Sequence, residues 1–152
     1  MKVYLDNCCF NRPYDDQSSL RVSLETQAKL AVQRMIRNGD VHMAASYVLL
    51  YENQQNPFAM RRTRIFNFLK KYASIYISSK LAAKIEKMAD PIIATGIKTT
   101  DAYHVACALE AGCDYFLTTD DRLLKYQSSA LRLCNPFTFV QLEVHPNEHE
   151  HD

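Results

Sequence analysis

The sequence predicts a single α/β domain built on a mainly parallel sheet of five strands. The chain has 152 residues, 47% of them hydrophobic, which is enough for one well-formed core. Short apolar and β-branched runs alternate along it with longer helical patterns. Residues 99–121 show this alternation most clearly, because a helix-forming segment stops at Gly112 and a buried-strand pattern follows at once.

The N-terminal third begins with a strand over residues 2–5 that ends at Asp6. Residues 7–13 are predicted to be a loop, since Asn, Pro and small residues resist regular structure. A helix over residues 18–38 follows and is stopped by Gly39. Its apolar stripe consists of Leu20, Leu24, Ala28, Ala31 and Met35.

The middle third contains a strand over residues 41–45, after which Ser46 caps a helix that runs through Gln55. Pro57 opens another helix that extends to about residue 72. A strand over residues 74–77 and a helix over residues 79–89 follow, and Pro91 is predicted to restart the chain.

In the last third, Thr100 is predicted to cap a helix over residues 102–111, before a strand over residues 115–119. A short helix to about residue 127, a strand over residues 131–134 and a turn at Asn135-Pro136 complete the domain, which spans residues 1–142. Residues 143–152, rich in His and Glu, are predicted to be a disordered tail.

Composition excludes several classes of protein. A net charge of +1 gives no global basic field, and three glycines are too few for a glycine-rich phosphate loop. Five cysteines without a C-x-x-C pair, including the adjacent Cys8 and Cys9, fit reduced thiols and a cytoplasmic location. No apolar run approaches transmembrane length, and Asp6 interrupts any signal-like segment, so no membrane association is expected.

Four carboxylates are predicted to meet at one edge of the sheet. Asp6 and Asp120 end strands, and Asp101 begins a helix, so all three should lie at the edge where parallel strands end. Glu52, about two turns into its helix, should point towards the same edge. Oxygen ligands without histidine or thiol favour Mg²⁺ or Mn²⁺. Alternatively, each residue is a helix-capping or solvated carboxylate, with Asp120 and Asp121 as a cap pair.

These residues fall within segments that resemble the PIN domain, the nuclease fold of bacterial VapC toxins and of many stand-alone proteins. The similar segments extend from Lys2 to about Leu142: VYLDNCCF, LLYEN, TTDAYHVACALEAGCDYFLTTDDRLL and LRLCNPFTFV. The resemblance implies a three-layer α/β/α sandwich. The D-A-x-x-x-A-x-A-x-x-x-G pattern followed by F-L-T-T-D is the most specific part of it.

The resemblance also implies roles for individual residues. It implies that catalysis and metal binding belong to Asp6, Glu52, Asp101 and Asp120. Asn7 and Thr118 stand where the family keeps small polar helpers, and Asp121 is a further supporting residue. Glu25 competes with Glu52 for the second position, and Glu52 is preferred because it follows the second strand. The opening segment after Asp6 departs from a typical toxin, in which a small hydroxyl residue often follows this Asp.

Substrate contacts are predicted from basic residues near these acids. The candidates are Arg12, Arg61, Arg62 and Arg64, with Lys70 and Lys71 on the same helix as the last three. A solvated basic face is the alternative. His104, one turn after Asp101, is interpreted as structural, with a place at the site as the alternative. The aromatic series is interpreted as core or dimer surface rather than base-stacking: Tyr47, Tyr51, Phe58, Phe66, Phe68 and Tyr72.

The leading functional hypothesis is a metal-dependent endoribonuclease that hydrolyses single-stranded RNA, as a toxin-like component or a stand-alone enzyme. Its expected partners are RNA, a small antitoxin-like protein and a second copy of the chain. The alternative is a non-catalytic PIN-like module that binds nucleic acid or protein. A phosphatase of the haloacid-dehalogenase type would need a second Asp at the position of Cys8, which counts against that class.

Overall fold

A computed structural model describes residues 1–143, so the predicted tail lies outside the described residues except for Glu143. Five strands form one sheet in the order β3-β2-β1-β4-β5. Every neighbouring pair is parallel, which confirms the predicted class with a wholly parallel sheet. The strands are Lys2–Leu5 (β1), His42–Ser46 (β2), Ala73–Ile77 (β3), Tyr115–Leu117 (β4) and Arg132–Cys134 (β5).

Seven α-helices cover the sheet within residues 1–143. They are Asn7–Asn11 (α1), Leu20–Arg37 (α2), Tyr47–Gln54 (α3), Ala59–Tyr72 (α4), Ala82–Ile93 (α5), Thr99–Glu110 (α6) and Pro136–Glu143 (α7). Side chains of α1, α2, α4 and α7 pack on one face of the sheet, and those of α5 and α6 pack on the other, so the fold has three layers. No helix in this part of the chain combines the length and apolar character needed to cross a bilayer.

The central strand β1 explains how the site is positioned. Val3 and Leu5 join the core under α2 and α4, whereas Tyr4 joins the core under α5 and α6, because successive side chains point to opposite faces. All three are fully buried, as is typical of a parallel sheet covered on both sides. Since β1 lies between β2 and β4, the residue that follows it, Asp6, stands at the middle of the sheet edge.

The predicted loop over residues 7–13 is wrong, because the chain forms α1 directly after Asp6. Asp6 has an extended backbone and its carboxylate accepts a hydrogen bond from the amide of Asn7, which caps the helix. Cys9 and Phe10 are then buried in the core. Burial of these side chains and the cap together stabilise a turn of helix that local propensity alone does not favour.

Helix α2 has nearly the predicted bounds and is capped by Ser19, but its buried face differs from the predicted stripe. Leu20 is 73% exposed, while the buried positions include the polar Glu25, Lys29 and Gln33. The buried face is therefore displaced by about one residue from the predicted stripe. Glu25 can occupy this inner face because partners from elsewhere in the chain meet it, as described below.

Two predicted helix boundaries on the opposite face are wrong. Pro91 lies inside α5, which continues to Ile93, because the buried Ala89 and Ile92 hold this last turn against the core. A proline near the C-terminal end removes only one backbone donor from the helix. Helix α6 begins at Thr99, so Thr100 lies in its first turn and is not the cap.

The C-terminal part also departs from the prediction. Strand β4 ends at Leu117 rather than at residue 119, since Thr118 turns its hydroxyl towards Asp6. Only a 3₁₀ turn over Leu123–Lys125 replaces the predicted helix to residue 127, because the backbone at Tyr126 is extended. The predicted turn at Asn135-Pro136 begins α7, with the side chain of Asn135 accepting a hydrogen bond from the amide of Phe137.

Candidate functional site

Asp6 lies at the centre of the candidate site and is 5% exposed. Its Oδ1 accepts the hydrogen bond from the Asn7 amide at 2.8 Å, and its Oδ2 accepts one from the Thr118 hydroxyl at 2.9 Å. The Cys8 thiol lies 3.5 Å from the same Oδ2. An ionised carboxylate has about four acceptor positions, so these neutral donors leave room for a further ligand.

Thr118 connects two predicted acids. While its hydroxyl donates to Asp6, the same oxygen accepts a hydrogen bond from the amide of Asp120 at 3.1 Å. Its own amide donates to the carbonyl of Cys134, which continues the pairing of β4 with β5. The fully buried Thr118 thus holds Asp6 and the Asp120 backbone in one arrangement.

Glu52 reaches the site from α3, the helix capped by Ser46 as predicted. One oxygen from Asp6, one from Glu52 and one ring nitrogen of His104 all lie within 4.8 Å of one another. The Oε2 of Glu52 is 3.1 Å from Nε2 of His104. The histidine is therefore a member of the site that the oxygen-only prediction did not include.

His104 is fully buried and both of its ring nitrogens have partners. Its Nδ1 lies 2.6 Å from the Tyr4 hydroxyl, which in turn lies 2.7 Å from the hydroxyl of Ser46. This chain of groups can satisfy either a neutral or a protonated imidazole, because each hydroxyl can donate or accept. The arrangement indicates that His104 positions Glu52 rather than binding an ion itself.

The charges around His104 favour its protonated form. Burial alone lowers the pKa of His104, but the hydrogen bond to Glu52 and the negative charges of Asp6, Glu52 and Asp101 together raise it above its ordinary value. Burial acts in the other direction on Tyr4, whose pKa it raises well above the usual range, so this hydroxyl stays neutral. The carboxylates at the sheet edge thus act on His104, a buried group that the Tyr4 hydroxyl connects to Ser46 at the end of β2.

Asp101 and Asp120 both line a cavity of about 510 Å³. Asp101 belongs to the first turn of α6, and Asp120 accepts a hydrogen bond from the Arg122 amide. The pKa of Asp101 is raised to about 6, first by burial and then by the charges of Asp6 and Asp120. The other lining residues include three cations and one aromatic ring: Lys98, Arg122, Lys125 and Tyr126.

The structure places the two remaining supporting candidates differently. Asn7 contributes its backbone amide to Asp6, while its side chain accepts a hydrogen bond from Asn11. Asp121 is turned outwards and both of its oxygens accept hydrogen bonds from Arg21, which lower its pKa. Asp121 therefore links α2 to the segment after β4.

Glu25, the competing acid, is only 2% exposed and lies among cations. Its Oε1 accepts hydrogen bonds from Nε and Nη2 of Arg12 at 3.0 and 2.8 Å, and Arg21 approaches it at 3.5 Å. Its Oε2 accepts a hydrogen bond from the side chain of Asn135. These partners explain its burial on α2 without any role at the sheet edge.

The four predicted substrate arginines have distinct surroundings. Arg12 is bound by Glu25 and Asp15, and Arg62 donates to the Asn56 carbonyl at 2.8 Å. The guanidinium of Arg61 stacks on Tyr14 and Phe58, with centroid distances of 4.8 and 4.0 Å. Arg64 has no ion pair within residues 1–143 and lines a separate cleft beside α2.

The aromatic series is divided between core and surface. Phe68 is buried in the core against Phe10 and Tyr72. Tyr51 and Phe58, by contrast, are 66% and 54% exposed. Tyr4 and His104 are the residues that sequence reasoning did not assign to the site. The available signal is the position of His104 one turn after Asp101, which places both on one side of α6.

The sequence matches no protein-family model and no curated protein. Several solved structures share the fold. One is VapBC2 from Rickettsia felis, bound to a DNA fragment from its promoter. A chain of that complex matches with 14% identity and a TM-score of 0.57, and the match covers 89% of this chain and 98% of that one. FitAcB from Neisseria gonorrhoeae matches with 16% identity and a TM-score of 0.52, covering 89% and 98%. FitAB bound to an IR36 DNA fragment matches with 16% identity and 0.51, covering 89% and 95%.

Proposed function

We propose that this chain, which has the PIN-domain fold of the toxin components of VapBC and FitAB complexes, is a metal-dependent endoribonuclease acting on single-stranded RNA. The observation that supports the proposal is the grouping of acids at one sheet edge. Asp6 and Glu52 approach each other directly, and the charges of Asp6, Asp120 and Glu52 all act on Asp101.

The donor set fits a hard divalent cation. Asp6 is buried with neutral hydrogen-bond donors only, and no Lys or Arg forms an ion pair with Asp6, Glu52, Asp101 or Asp120 within residues 1–143. Like charges gathered in this way favour a bound cation. Asp6, Asp101, Asp120 and Glu52 would hold Mg²⁺ or Mn²⁺. Such an ion, when bound, activates water and stabilises charge on a phosphodiester.

The chain's own residues have separate tasks in this reaction. Thr118 orients Asp6, and His104 holds Glu52 through its Nε2. The cavity beside Asp101 and Asp120 has the volume for a nucleotide unit next to the bond that is cut. Lys98 and Arg122, which also line this cavity, can bind a neighbouring phosphate of the substrate.

The decisive experiment is cleavage of end-labelled single-stranded RNAs of mixed sequence, with and without Mg²⁺ or Mn²⁺. Attack by water leaves a 5′-phosphate and a 3′-hydroxyl on the products, since the 2′-hydroxyl is not the nucleophile. EDTA should abolish cleavage. Cyclic phosphate ends, or full activity in EDTA, would refute the mechanism. Metal binding at the acids without cleavage of any RNA would instead favour the non-catalytic binding module.

A small antitoxin-like protein is proposed as a partner, supported by the fact that the matched structures are complexes named VapBC2, FitAcB and FitAB. If the chain is a toxin, its expression should arrest bacterial growth, and co-expression of the protein encoded beside it should relieve the arrest. The Asp6→Asn variant should not arrest growth. Equal growth of cells with either form would contradict the toxin role but not the nuclease activity.

A further inference from the structure

A second charged region lies away from the acids, in a cleft of about 380 Å³ between α2, α4 and the 3₁₀ turn Arg12–Tyr14. Within residues 1–143, its wall contains three cations and no carboxylate. The cations are Lys29 and Arg37 from α2 and Arg64 from α4. A cleft lined in this way by one sign of charge attracts anions.

Two polar side chains in this wall are largely buried and have no hydrogen-bond partner within residues 1–143. Lys29 is 5% exposed and Gln33, one turn later on α2, is 8% exposed. Within residues 1–143 neither side chain makes a hydrogen bond, and Lys29 forms no ion pair, although its Nζ lies 5.4 Å from the centre of the Phe10 ring. The Nζ of Lys29 and the amide of Gln33 keep access to solvent, because Asn53 Oδ1 is the buried side-chain polar atom without a partner within residues 1–143. The ammonium of Lys29 therefore opens into the cleft, where an anion would supply the missing counter-charge.

The electrostatic state of Lys29 agrees with this interpretation. Burial, and to a smaller extent Arg37, lower the pKa of Lys29 to about 8, although the nearby Cys9 acts in the other direction. An anion in the cleft would stabilise the ammonium form, and would be bound by charge from Lys29, Arg37 and Arg64 together. The planar guanidinium groups suit phosphate oxygens in particular.

The cleft is connected to the acidic edge by a row of side chains. A depression of about 290 Å³ contains both Glu52 and Arg61. Arg61 stacks on Tyr14, whose ring lies in the wall of the basic cleft. A single nucleic-acid strand that leaves the acids past Glu52 would therefore meet Arg61 and Tyr14, and then the cleft.

We propose that the cleft between α2 and α4 binds a phosphate group of the RNA substrate, through Lys29, Gln33, Arg37 and Arg64, away from the bond that is cut. The claim that this phosphate belongs to RNA rests on the proposed function. The claim that the cleft binds phosphate does not. Free phosphate is the other source of the same chemistry, and the experiment separates the two.

The test measures binding of inorganic phosphate and of a single-stranded RNA to the full chain in EDTA, so that no cleavage occurs. Lys29→Met removes the charge but keeps the length of the side chain, and Arg64→Met tests the cleft from the other helix. Lys84→Met is the matched control, because Lys84 is exposed on α5 and is paired with Glu110. Thermal unfolding of each variant establishes that it is folded.

Both cleft variants should weaken RNA binding about tenfold, and Lys84→Met should not change it. The slope of log affinity against log salt should fall by about 0.7 for each interaction with a phosphate that a variant removes. Weaker binding of inorganic phosphate by the same variants would support the assignment further. Unchanged RNA binding in folded Lys29→Met and Arg64→Met would overturn the proposal, even if free phosphate binds. If RNA binds through the cleft but is never cleaved, the result would contradict the proposed nuclease activity and leave the phosphate site supported.

Discussion

Asp6 and Glu25 are both buried carboxylates, yet their surroundings are opposite. Glu25 lies between Arg12 and Arg21, whereas Asp6 receives hydrogen bonds from neutral groups and shares its edge with three more acids. A buried charge that has its counter-charges within the chain serves the fold. The acids at the sheet edge have only the buried His104 as an ion-pair partner within residues 1–143, so their remaining negative charge favours a cation from outside.

The largest effect expected from this contrast is on catalysis. Asp6→Asn can keep the cap on α1 and the hydrogen bond with Thr118, but it removes the charge that would bind the ion. Cleavage of labelled RNA should fall to background, while the melting temperature stays the same or rises. Glu25→Gln is the matched control, because it should retain cleavage at temperatures where it remains folded. Activity in folded Asp6→Asn would exclude Asp6 as a ligand.

The next effect is on stability and concerns Glu25. Glu25→Ala leaves Arg12 partly buried without its main partner and removes the acceptor for Asn135. The free energy of unfolding should fall by about 3 kcal/mol, measured by urea denaturation. Asp6→Ala should cost less, since it relieves repulsion at the sheet edge. Equal losses in the two variants would show that the two carboxylates do not differ as described.

Metal binding should stabilise the folded chain through the carboxylates of the acidic edge and not through Glu25. Mn²⁺ at a hundredfold excess over its Kd should add about 2.7 kcal/mol to the stability of the unmodified chain. Asp101→Asn should gain less, because it lacks one of the four carboxylates. Thermal unfolding with and without Mn²⁺ measures both gains, and Glu25→Gln should gain as much as the unmodified chain. Identical gains in the Asp101→Asn variant would contradict a shared site.

The smallest effect is the pH dependence of the repulsion itself. The pKa of Asp101 is about 6 in the folded chain, above its ordinary 3.8, so the folded state holds this proton more tightly. Its contribution therefore lowers stability as the pH rises from about 4 to about 6, and is constant above that range. In the absence of metal, Asp101→Asn should melt higher than the unmodified chain at pH 7 and equally at pH 3.5. The same difference in melting temperature at pH 3.5 and at pH 7 would contradict a raised pKa at Asp101.

The sequence predicts the acidic edge from a simple rule. Residues that directly follow parallel strands, such as Asp6, share one edge whatever the details of packing. Helix α1 and the burial of Glu25 on α2 were not predicted, since they depend on residues distant in the chain. Glu25 becomes buried only because Arg12 and Asn135 reach it, and no local pattern announces that contact.

His104 illustrates the same limit within the site. Its spacing from Asp101 places it near the edge, but its role follows from the Tyr4 hydroxyl on the opposite side of the ring. Tyr4 is read from sequence as an ordinary strand residue, and its ring does stack on Phe116 at 5.3 Å. A hydroxyl on a core aromatic ring can join a polar network only when the sheet register brings it to a polar neighbour.

The central position of β1 has a consequence for motion. The amide of Asp6 donates to the Leu117 carbonyl, within a sheet where β1 is protected by a strand on each side. Backbone amides in such positions exchange with solvent only when the whole domain opens, whereas those of the outer strands β3 and β5 exchange through smaller fluctuations. The first carboxylate of the site therefore keeps its place during the frequent local openings of the chain, and loses it only when the domain unfolds.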